Sequence, residues 1–68
     1  MESVVATDPE IMSGEPTFRG TRVLVRTLFE YIEAGYSLER FLDGFPTVTH
    51  EMALQALEEA KESLLAKR

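Results

Sequence analysis

Two stretches of the chain repeat their apolar positions at helical spacing. From Leu24 onward, Val25, Leu28, Phe29 and Ile32 fall at i, i+3, i+4 and i+7, which predicts an amphipathic helix reaching about Ala34 with this stripe turned inward. A longer pattern runs from His50 to about Ala66. Its inward stripe is Ala53, Ala56, Leu57, Ala60 and Leu64, with Met52 and Leu54 widening the start. The residues between these stretches are punctuation with a mechanism. Gly35 accepts the left-handed backbone that closes many helices, so a turn follows at once. Ser37 is a good N-cap for a short helix, Leu38 to Asp43, and Tyr36 is placed to staple onto Phe41. Gly44 can close that helix, and Pro46 biases Phe45 away from helical angles. Thr49 then caps the last helix. Glu51 suits the positive end of its dipole, and Lys67 and Arg68 suit the negative end.

The first part of the chain shows no such period. Asp8-Pro9, Gly14, Pro16 and Gly20 interrupt it too often for a helix to nucleate, so Met1 to Val25 reads as extended or looped. Val4 to Ala6 and Thr17 to Arg19 are candidate strands, too far apart for a tight hairpin, and Asp8 with Pro9 starts a turn. The expected product is one domain over 1–68: an arm with short strands or a β-hairpin over 1–23, then a three-helix core over 24–66. That is a mainly α, helix-turn-helix layout.

Size and charge narrow the function. At 68 residues with no cysteine, the chain has a small core and neither disulfides nor thiolate metal sites to support it, so a homodimer is expected in a reducing cytoplasm. No long apolar run or signal segment stands out, which predicts no membrane span. Seven basic against twelve acidic residues leave a net charge of −5, which disfavours strong non-specific nucleic-acid binding. The charge is uneven, however. Arg19, Arg22 and Arg26 lie close together, while Glu51, Glu58, Glu59 and Glu62 load the last third.

Catalysis finds no support. His50 is the single histidine, and the carboxylates sit on a helix face or in the arm rather than converging as a metal-dependent nuclease requires. No catalytic, metal, cofactor or small-molecule site is expected. Gly14 to Arg22 has a superficial likeness to a phosphate loop, but the spacing is wrong, no lysine stands in the Walker position, and Pro16 removes an amide donor. Two readings of this stretch stay open. In one, Gly14 and Gly20 supply unusual backbone angles, Pro16 stiffens the arm, and Arg19 and Arg22 pair with carboxylates of the acidic helices. In the other, Arg19, Arg22 and Arg26 form a phosphate-contacting strip, with Thr49, His50 and Gln55 at the start of the last helix facing base edges. The acidic residues Glu51, Glu58, Glu59 and Glu62 form a candidate partner surface. The small residues Ala53, Ala56 and Ala60, with Leu64 and Leu65 beyond them, are a candidate dimer contact.

Three groups of residues carry a resemblance that covers nearly the whole chain. They are Asp8 to Pro16 with Phe18-Arg19-Gly20-Thr21-Arg22-Val23, then Ala34-Gly35-Tyr36-Ser37, then Phe45-Pro46-Thr47-Val48-Thr49. Together they resemble the bacterial and archaeal family known as domain of unknown function 433, DUF433. Leu24 stands where many members have proline, and Phe45 where tyrosine is common. The motif residues matched are Gly14, Pro16, Arg19, Gly20, Thr21, Arg22, Gly35, Pro46 and Thr49. The resemblance implies a homeodomain-like or winged-helix-like fold, commonly dimeric and in many cases encoded beside a PIN-like ribonuclease. It further implies an antitoxin that masks this nuclease toxin and binds operator DNA as a dimer. A non-DNA-binding homodimeric scaffold is the alternative.

Overall fold

The computed structural model describes residues 3–66. Strand β1 (Val5–Ala6), a 3-10 turn (Met12–Gly14) and strand β2 (Thr17–Phe18) precede three helices, α1 (Val25–Glu33), α2 (Leu38–Gly44) and α3 (His50–Ala66). The mainly helical layout with a short N-terminal hairpin is as expected. The expectation for Lys67 and Arg68 lies outside the described residues. The strands pair antiparallel, Val5 opposite Phe18 and Ala6 opposite Thr17. After β2 the chain reverses through Gly20, whose φ of 81° favours glycine, and returns along β2's other side. Phe18 N donates to Val23 O at 2.9 Å and Val25 N to Pro16 O at 3.0 Å, so the sheet leads directly into α1.

Local signals set the helix ends. Beyond α1, Gly35 takes φ 90° while its N–H donates to Ile32 O and that of Tyr36 to Tyr31 O, both at 3.0 Å. These are the two bonds of a Schellman closure, and the apolar contact that accompanies it is Tyr36 on Tyr31, with ring centroids 5.4 Å apart. Tyr36 is therefore drawn back onto α1 rather than forward onto Phe41 as the staple reading expected. Ser37 caps α2 by accepting from Arg40 N at 3.1 Å. Gly44 stays within α2 instead of closing it, and the chain leaves helical angles at Phe45 (φ −135°, ψ 71°), where the following proline disfavours them. Thr49 accepts from Met52 N at 3.1 Å and caps α3.

The core joins both halves of the chain. Phe18 from β2, Leu28 from α1, Phe41 from α2 and Ala53 from α3 are fully buried, with Val4, Val25, Val48 and Ala56 around them. Tyr31 meets Phe41 and Phe45 edge-on at 5.6 and 5.9 Å, and this aromatic group fills the space between α1 and α2. The inward stripes need three corrections. Ile32 is half exposed because Tyr31, one residue earlier, takes the position facing α2. Leu54 lies outside while Ala53 and Ala56 face in. Leu64 is 71% exposed because α3, about 25 Å long at 1.5 Å per residue, outruns the elements that could cover it.

Candidate interaction surfaces

The three arginines singled out for DNA meet three different surroundings. Arg19 bends back over β1, donating from Nε to Ser3 O at 2.9 Å and from a terminal nitrogen to Val5 O at 3.3 Å. Arg26 pairs with the carboxylate of Glu15 in the arm. Arg22 makes no hydrogen bond or ion pair among the described residues. The remaining described cations are engaged: Arg40 lies over the Tyr36 ring at 5.9 Å, and Lys61 pairs with Glu58 at 3.1 Å. Arg22 is thus the one described basic side chain without a partner.

The glutamates of α3 divide in the same way. Glu59 accepts from the Ser3 hydroxyl at 2.6 Å and from Val4 N at 3.1 Å, tying the start of the chain to α3. Gln55, one turn earlier, donates to the same carboxylate at 3.4 Å. The Ser3 and Val4 hydrogen bonds hold the Glu59 pKa below its ordinary value, with Gln55 and the nearby charge of Arg19 adding to the effect against partial burial. Gln55 and Glu59 therefore face β1. Glu51, Glu58 and Glu62 are exposed, and Leu54 and Leu65 are exposed among them at 46% and 54%. Their spacing of three, four, four and three residues places all five on one outward stripe of α3. His50 is exposed at the helix start, beside the Thr49 cap.

One concave feature was not visible in the sequence. A groove of about 540 Å³ opens between the arm and the connection from α2 to α3, with Met12, Val23, Leu24 and Phe45 as its apolar lining. Thr21, Thr27 and Thr47 add small polar positions, and Arg22 is the one charged residue of the lining. The Arg22 wall is held by its own turn: Thr21 Oγ1 donates to Phe18 O at 2.8 Å and accepts from Val23 N at 3.0 Å. Met12 and Ser13 both adopt positive φ, 51° and 57°, a conformation that costs non-glycine residues of order 1–3 kcal/mol. No periodicity or turn rule signals two such residues in succession.

Among the described residues, no cluster of histidines and carboxylates is arranged to hold a metal ion, and no helix is long and apolar enough to cross a membrane.

Comparison with known proteins adds three findings. The family described as protein of unknown function DUF433 matches residues 5–60. An uncharacterized protein, y4eO of Sinorhizobium fredii, is 40% identical over 48 residues, covering 71% of this chain and 22% of y4eO. The crystal structure of a DUF433 member protein from Anabaena variabilis superposes with a TM-score of 0.76 at 24% identity, over 90% of this chain and 60% of that one. The chain thus spans about a fifth of the curated relative and three fifths of the solved one.

Proposed function

This chain belongs to the DUF433 family, and from that premise we propose that it is the antitoxin-like member of a two-protein module, a non-enzymatic domain that binds and masks a PIN-like nuclease. The observation that carries the reading is the outward stripe of α3, where Leu54 and Leu65 are exposed among Glu51, Glu58 and Glu62. A ribonuclease must attract a polyanion, so its substrate cleft is positive. A helix with carboxylates flanking two apolar anchors complements such a cleft in charge. Masking then needs no chemistry from this chain. The same stripe disfavours operator recognition by α3, since its carboxylates would face phosphates. The second reading, a homodimeric scaffold without DNA binding, draws on the uncovered Leu64 at the end of α3.

The test looks for a PIN-like nuclease in the neighbouring reading frame and pairs the chain with it. A variant carrying Glu51→Lys, Glu58→Lys and Glu62→Lys leaves Glu59 in place, so circular dichroism should show parental folding. Its association should slow, lose most of its salt dependence and release RNA cleavage from inhibition. Unchanged association rate, affinity and inhibition at low salt would remove α3 from the interface. A parent chain that ignores the nuclease and sediments as a dimer would establish the scaffold reading instead.

A further inference from the structure

The groove beside Arg22 is lined by no residue of α3, and the masking proposed above does not use it. Its lining is mostly apolar, its volume of about 540 Å³ suits two or three side chains, and its single charge is a guanidinium that no described residue neutralises. An unpaired guanidinium favours a carboxylate or phosphate, which it can meet with two parallel N–H donors. The apolar lining decides between them, because a phosphate backbone carries no apolar group to fill it.

Two further features fit a binding role. The wall carrying Arg22 is pre-set by the Thr21 turn, so little freedom is lost there when a ligand binds. Met12 also lines the groove, 43% exposed and presented by a backbone at positive φ, and methionine is the apolar side chain best able to adapt to varied partners.

We propose that this groove is a docking site for an extended segment of a partner protein, one that places a large apolar side chain between Met12 and Phe45 and an adjacent carboxylate on Arg22. In a chain with a net charge of −5 the site offers one local attraction, so it selects a segment with a single acidic residue beside the apolar one rather than an acidic run.

The experiment is an NMR titration of the isotope-labelled chain with the capped peptide acetyl-Ala-Ala-Leu-Glu-Ala-Ala-amide. Saturable amide shifts are expected at Gly20, Arg22, Thr27 and Thr47. The same peptide with glutamine for glutamate should bind roughly fivefold more weakly, a difference that disappears in Arg22→Gln. Met12→Ala should weaken both peptides alike. The Glu51, Glu58 and Glu62 lysine variant should bind the peptide as the parent does, so failure here and failure of the nuclease reading are separable. Shifts absent at millimolar peptide, or equal for both peptides, would overturn the proposal. So would a random-sequence DNA duplex that moves the same amides in an Arg22-dependent way, since that would make the site a phosphate contact.

Discussion

The arm and the third helix both concentrate charge, and they use it in opposite ways. In the arm, Arg19 is bound to the backbone carbonyls of Ser3 and Val5 and Glu15 to Arg26, so these charges hold the fold. On α3, Glu59 alone is drawn inward by Ser3 and Val4, while the stripe from Glu51 to Leu65 faces solvent with Glu58–Lys61 as its ion pair among the described residues. Arg22 is the exception in the arm, as Glu59 is on α3. Charge density along the sequence therefore does not identify a binding surface. Whether the backbone geometry has already supplied a partner does.

The largest test of this contrast removes what both regions share. Phe41 is fully buried and touches Phe18 of the hairpin, Tyr31 of α1 and Phe45, with ring centroids 6.1, 5.6 and 5.1 Å away. Phe41→Ala should cost about 3–5 kcal/mol, a large part of the stability of so short a chain, and arm and helices should melt together. Urea denaturation followed by helical circular dichroism and by hairpin amide signals checks this, and separate transitions would show that the arm folds on its own.

A smaller effect is expected at the inward carboxylate. Glu59→Ala should cost about 1–2 kcal/mol at neutral pH, because charge-assisted bonds to Ser3 and Val4 are lost at a partly solvated site. The pH dependence has a definite sign. The folded-state pKa is lowered from 4.5, so the stabilisation is fully present above that value and is lost as pH falls through the lower folded value. Denaturation midpoints of parent and variant should therefore converge as the pH drops from 7 toward 3. A gap that persists in acid would assign the loss to packing rather than to the carboxylate.

The smallest change is expected on the outward stripe. Glu62→Lys removes an exposed charge that has no partner among the described residues and should alter stability by less than about 0.5 kcal/mol. A melt displaced by several degrees would mean that the stripe supports the fold after all.

What the sequence reveals divides along the same line. Gly35, Ser37 and Thr49 were legible because a helix end is decided within a few residues by backbone angles and one side-chain acceptor. Pairing of Glu59 with Ser3 bridges 56 positions, and no local rule reaches that far. Apolar periodicity found α1 but could not rank Tyr31 over Ile32, since that choice depends on where Phe41 and Phe45 arrive from α2. Periodicity turns Leu54 and Leu64 inward because it reports a face of the helix and not how much of that face finds cover. The groove was invisible for a related reason. Its lining comes from the 3-10 turn, the return from β2, α1 and the residues after α2, which only the folded chain brings together.

The hold of Arg19 on β1 has one more consequence, for how copies of this chain behave when crowded. Arg19 N donates to Val4 O at 2.7 Å, so along an extended strand the carbonyls of Ser3 and Val5 point the other way, toward the open edge of the hairpin. Those are the acceptors that the guanidinium occupies. An incoming strand seeking to extend the sheet would find them taken and a positive charge in its path, the kind of obstacle that keeps exposed sheet edges from recruiting neighbours into aggregates. Arg19, a candidate nucleic-acid contact in the sequence, thus covers the acceptors of this strand edge in the fold.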